Sequence, residues 1–311
     1  MNTIWKLGVA GTIWGTLVMT AAAAPVERSA VMADPAWALH VDFDGLRGTD
    51  VGKQILTELN QPEQQPRFAV YKLLITFDPR TALHGVTLYG ASVAPEDSVA
   101  LIYADFDAER VAKLPEMAEG HQSSEHGKYT IHSWIDAQRR EKSGGEPRTY
   151  AAVYKSQIVL FGQKASRLAE ALDVLDETKP SLKSTERFPQ FGKASKSVIA
   201  QGFANKFDLK NPGPQTAVFK HSKQAWLELK EANEKVAGSL VLEADGSESA
   251  GHIATVLRGL VALMALQTDN PNAVKLSQAL SVQAEAERAT VNLSLTAADV
   301  MAMAKAKPVE K

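Results

Sequence analysis

His121, Glu125, His126 and His132 are the residues whose types and spacing come nearest to a metal centre. Zinc needs three or four ligands converging at about 2 Å, and imidazole and carboxylate are its usual nitrogen and oxygen donors. Here the first three lie in Gly120–Gly127, rich in Gly and Ser, without the H-E-x-x-H spacing by which a helix fixes two histidines on one face. That stretch therefore reads as a polar loop, and no metal ligand is assigned. His40, His84, His221 and His252 stand apart from one another and read as surface or satisfied core residues.

A second constellation is acidic. Asp42-Phe43-Asp44 and Asp105-Phe106-Asp107 each close a strand-like run and lead into a helix-like one. Carboxylates two apart on a strand project from one face, which suits a divalent cation or a general acid and base. Asp42, Asp44 and Gly45 begin a calcium-loop pattern, but no glutamate arrives at its twelfth position. Helix capping accounts for these acids more simply, because a carboxylate at a helix start accepts from free backbone N–H groups. No G-x-S-x-G, S-x-x-K, Walker or G-x-G-x-x-G motif occurs, and Phe191-Gly192-Lys193 lacks both the upstream glycine and the following hydroxyl. No catalytic residue and no cofactor are assigned.

These residues must be positioned by strands and helices that the periodicity makes visible. Trp37, Leu39, Val41 and Phe43 alternate with His40, Asp42 and Asp44 as in a half-buried strand. Thr49 or Asp50 can cap a helix striped by Val51, Ile55, Leu56 and Leu59. Gln61–Pro66 is a loop, Phe68–Phe77 keeps helical spacing, and Asp78-Pro79 ends it. Strands follow at Gly85–Val93 and Ser98–Phe106, then a helix over Ala108–Met117 capped by Asp107 with Val111 and Leu114 inward. After the loop Gly120–Gly127 come the strand Tyr129–Ile135, a second polar loop at Glu141–Arg148, and a hairpin turning at Lys155-Ser156. Leu168, Leu172 and Leu175 mark the helix that closes this half.

Thr178–Ser195, with prolines, serines and cations but no periodicity, is expected as a linker. Beyond it a strand at Ser197–Phe203 precedes Ala225–Glu231 and Val236–Ala244, expected as a hairpin around Asn233, with a helix over Ser222–Ala232 as the competing reading. A helix over His252–Thr268 places Ile253, Val256, Leu257, Leu260, Val261 and Met264 on one stripe, while Ala262, Leu263 and Leu266 continue the apolar surface around it. That stripe suits core packing, with a lipid-sheltering wall as the alternative. A shorter helix at Asn272–Leu280, a strand pair within Val282–Leu295 and a terminal helix over Ala297–Ala306 complete the chain. Strand, acidic turn and helix recur at Leu242–Gly246, so the fold class is α+β: two related halves of antiparallel-sheet-plus-helix units, at 34–177 and 196–306 with the linker 178–195 between them.

The first residues predict where the chain works. Lys6 precedes an apolar run from Leu7 to Met19, and Ala21–Ala24 supply the small residues of a cleavage site, so 1–23 is expected to be a secretory signal peptide. The run is too short for a bilayer span of about 20 residues, and no stable membrane insertion is expected after cleavage. A net charge of -2 lacks the basic surplus of a nucleic-acid binder. The absence of cysteine removes disulfides, thiolate metal sites and a lipid-attachment residue.

At Phe77-Asp78-Pro79-Arg80-Thr81-Ala82-Leu83-His84-Gly85-Val86-Thr87-Leu88-Tyr89-Gly90 and Tyr103-Ala104-Asp105-Phe106-Asp107 the chain resembles exported bacterial proteins of the planctomycete and verrucomicrobial kind. That resemblance implies a signal peptide and a two-half α+β fold, and brings no functional residues. The expectation is a periplasmic or secreted soluble protein, non-catalytic, binding a protein or a small apolar ligand or serving structurally in the envelope. The alternative is an exported hydrolase using Asp42, Asp44, Asp105 and Asp107 with a divalent cation.

Overall fold

The computed structural model describes residues 26–66, 68, 69, 77–143, 145–193, 197–205 and 221–305. The leader at 1–23 and most of the helix expected at Phe68–Phe77 lie outside them. The chain runs β1 (Trp37–Asp42), α1 (Phe43–Gly48), α2 (Asp50–Leu59), α3 (Pro79–Ala82), β2 (Leu83–Gly90) and β3 (Ser98–Ala104). It continues with α4 (Ala108–Lys113), β4 (Gln122–His126), β5 (Tyr129–Ile135), α5 (Ala137–Ser143), β6 (Arg148–Tyr154), β7 (Ile158–Gly162) and α6 (Ala165–Leu175). The second half holds β8 (Val198–Ala204), β9 (Ser222–Ala232), β10 (Lys235–Ala244), α7 (Ser247–Ala265), α8 (Pro271–Ala279), β11 (Leu280–Glu285), β12 (Arg288–Thr296) and α9 (Ala297–Lys305).

The described strands form one 12-stranded antiparallel sheet in the order β11-β12-β10-β9-β8-β1-β2-β3-β7-β6-β5-β4. The halves meet where β1 pairs with β8, Leu39 opposite Gly202. On one face Leu168, Ala171 and Leu172 of α6 pack onto Tyr89, Val99, Leu101 and Leu160. The stretch expected as a linker runs across the same face, with Leu182 and Phe191 fully buried. Its lack of periodicity reflects irregular backbone held down by a few large side chains.

Local chemistry explains the turns. Asn233 and Glu234 both have positive φ, 52° and 61°, which gives the two-residue turn whose twist matches a hairpin, so Ser222–Ala232 is a strand and the competing helix is not formed. Asp42 accepts from Gly45 N at 2.7 Å, Thr49 from Gly52 N at 3.0 Å and Asp107 from Arg110 N at 3.1 Å, so each caps the helix that follows it. Asp78-Pro79 opens a helical turn as well as ending a run, since Asp78 accepts from Arg80 N at 3.0 Å.

Three expectations change. Gly120–Gly127 contains the strand β4, paired with β5; an edge strand of polar, exposed residues lacks the alternation that would reveal it. The loop expected at Glu141–Arg148 begins inside α5. On α7 the inward face is Ala250, Ile253, Ala254 and Leu257, whereas Val256 is 42% exposed. Small alanines let the helix approach β10 and β12 closely and turn the stripe about its axis.

Two carboxylates pin the ends of elements. Asp97 accepts from Lys164 Nζ at 2.8 Å and Ser92 Oγ at 2.7 Å, and these bonds, led by Lys164, hold its pKa near about 2. Asp136 accepts from the backbone and side chain of Arg139 at 3.0 and 2.8 Å and is likewise held near about 2. Both folded values lie below the ordinary 3.8, so this stabilisation is complete above that value and is lost as pH falls toward 2. Acid titrations of unfolding should therefore steepen between about pH 4 and pH 2. In the Asp97→Asn, Asp136→Asn double variant that slope should flatten.

Candidate functional site

The register of four strands builds an apolar space among the described residues. Ile102, Val159 and Val153 form one cross-strand row, and Phe161, Ala151 and His132 form the next. Because side chains alternate across a strand, these six share one face of the sheet. Trp134 extends it along β5. Over this floor lie Val111 and Ala112 of α4, then Leu114, Pro115 and Ala118 of the turn that follows. Alanine at 104, 112, 118 and 151 leaves unfilled the space that larger residues would close. The result is a cavity of about 410 Å³ whose lining, among the described residues, is apolar except for His132.

That volume falls within the ordinary range for small-molecule sites, and an apolar wall with one polar group fits an apolar ligand. Val111 and Leu114 point inward, as their spacing predicts, and line the cavity. The available signal was the run of alanines facing bulky residues in neighbouring strands.

The histidines expected in one loop are separated by the β4–β5 hairpin. His121 Nε2 lies 3.1 Å from His132 Nδ1, the two rings stacked with centroids 5.3 Å apart. Burial first, and then the neighbouring His121, hold the His132 pKa below its usual value. His126 instead reaches Asp173 of α6 at 2.7 Å, and Glu125 accepts from Thr130 Oγ1 at 3.1 Å. Together with the 2.8 Å bond from Tyr129 Oη to Asp176, this ties the hairpin to α6.

The acids also divide. Asp44 and Asp105 meet on one imidazole: His84 Nδ1 lies 3.0 Å from Asp44 and His84 Nε2 3.0 Å from Asp105. Arg47 pairs with Asp44 from the next turn of α1. With both ring nitrogens engaged, His84 clamps α1 to the end of β3 and has no free nitrogen to take a proton from a substrate. Asp42 and Asp107 act as caps. His40 is buried and bonds Thr87 at 2.9 Å, while His221 and His252 are exposed. Among the described residues no group of three or more His, Asp or Glu side chains is placed to hold a metal ion. No helix among them is long and apolar enough to cross a membrane.

No protein-family model matches the sequence, and neither does any curated protein. Solved structures of TP0453, a Treponema protein, are similar in fold. Crystal form III superposes with a TM-score of 0.50 over 91% of this chain and 98% of that one, at 10% identity. Crystal form I gives 0.46 over 91% and 98%, at 11% identity. At such identity the likeness shows the shared fold alone.

Proposed function

We propose that this chain is an exported, non-catalytic binding protein that carries a small apolar ligand in the cavity between α4 and the sheet. The cavity itself is the observation that carries the reading: a folded chain gains by closing apolar space, and roughly 25 cal/mol per Å² of buried surface awaits a ligand that fills it. The signal-like leader supports export to the periplasm or beyond, where an apolar molecule needs shelter from water. The acids proposed for hydrolysis support this reading too, since two are spent on caps and two on one imidazole.

A second reading has its own observation. Val256, Leu263 and Leu266 of α7 and the residue beyond it are 42, 59 and 75% exposed, an apolar surface that suits an envelope-associated partner.

Binding of a naphthylphenylamine probe tests the cavity. The mature protein should bind it at micromolar concentration, with energy transfer from Trp134. Ala112→Trp, which fills the roof, should weaken binding at least about tenfold, the loss of about 1.4 kcal/mol, without lowering the melting temperature. Equal binding by variant and wild type would overturn the assignment.

A further inference from the structure

The cavity does not end at His132. A second space of about 430 Å³ adjoins it, and Ala112 and His132 line both. Where the cavity is apolar, this cleft is charged: Glu109, Lys113 and Glu116 approach from α4 and its following turn, and His121 from the start of β4. Glu109 and Lys113, at i and i+4, share one face of α4, and Glu116 of the following turn lines the same cleft. None of them has an ion-pair partner among the described residues. All three are exposed at the mouth of the cleft, charges of both signs beside an apolar cavity.

We propose that cavity and cleft form one site for a single-chain amphiphile with a zwitterionic head group. The hydrocarbon tail lies on Ile102, Val153 and Phe161. The anionic part of the head rests against Lys113 and the histidine pair, and its cationic part against Glu109 and Glu116. A purely anionic head would meet two carboxylates with one ammonium, and a purely cationic head would meet that ammonium. A neutral head would make no charge-assisted contact with any of the three. This ligand class rests on the apolar-cavity reading above and adds to it the choice of head group.

Displacement of the naphthylphenylamine probe by a tail-matched series tests it: dodecylphosphocholine, dodecanoate, dodecyltrimethylammonium and dodecyl maltoside, each below its micelle concentration. Dodecylphosphocholine should bind at least about tenfold more tightly than the maltoside, the scale of one charge-assisted contact. Glu109→Gln with Glu116→Gln, both exposed positions, should bring it down to the maltoside's level and leave the maltoside unchanged. Equal affinity for all four heads, or a double variant that behaves as wild type, would overturn the head-group assignment while the cavity reading stands. If no amphiphile displaces the probe and the probe itself does not bind, both fall.

Discussion

Arg28→Ala should destabilise the protein by about 3 kcal/mol, because one guanidinium there organises a whole irregular segment. Its Nη1 donates to the carbonyls of Phe188 and Phe191 at 2.6 and 3.1 Å, and its Nη2 to those of Leu182, Thr185 and Arg187 at 2.9, 3.1 and 2.9 Å. A backbone without helix or sheet partners must satisfy its carbonyls somewhere, and here the four N–H groups of Nη1 and Nη2 do it at one point, one of them shared between two carbonyls. Partial burial lowers the pKa of the guanidinium from its ordinary value. Lysine carries the charge but lacks the planar fork, so Arg28→Lys should recover less than half of the loss. Urea unfolding checks both variants. A change below about 1 kcal/mol for Arg28→Ala would show that aromatic packing alone holds the segment.

The second large effect belongs to that packing. Phe191→Ala should cost about 4 kcal/mol, the usual range for emptying a buried phenylalanine site. Its ring is fully buried and meets Phe203 edge to face at 5.0 Å and Trp226 at 6.5 Å, while Phe188 stacks on Phe203 at 3.7 Å. Phe203 lies in β8 and Trp226 in β9, so the cluster fastens the 178–193 segment to the second half as well as the first. Because the Phe191 ring anchors the residue whose carbonyl accepts from Arg28, the two substitutions should not add. A double-mutant cycle should give a coupling of at least about 1 kcal/mol, and simple additivity would contradict the shared role.

What the sequence made legible follows from how each element is stabilised. Alternation located β1 but not its inward face: a strand forms over Trp37–Asp42, yet Ala38, His40 and Asp42 are its buried positions, Trp37, Leu39 and Val41 are half-buried, and Asp42 caps α1. Caps such as Thr49 and Asp107 were visible because they act within three residues of their partners. The turn at Asn233 was also local. What stayed hidden depends on distance in sequence. Gln122–His126 forms a strand only because β5 supplies its hydrogen bonds. Arg28 meets acceptors more than 150 positions away, and nothing near it signals that. The inward turn of α7 onto Ala250 and Ala254 is set by close approach to the sheet, which overrides the larger stripe through Val256.

The site shows the same division. His121, His126 and His132 looked like one cluster in sequence, but alternation along β5 sends His132 to the cavity face, and His126 turns to Asp173. The four acids read as caps were caps at Asp42 and Asp107. At Asp44 and Asp105 they were the two ends of a clamp on His84, a contact that needs β2 and β3 to be paired first. An empty space has no residue of its own, so the cavity could be inferred only from alanines at positions that the fold brings face to face.

Native mass spectrometry of the protein purified from its own host, run beside a denatured sample, tests the central claim most directly. A cavity that carries an apolar ligand predicts a non-covalent mass adduct that disappears on denaturation and is lost in Ala112→Trp. An unliganded spectrum that stays bare after incubation with dodecylphosphocholine and dodecyl maltoside would contradict it.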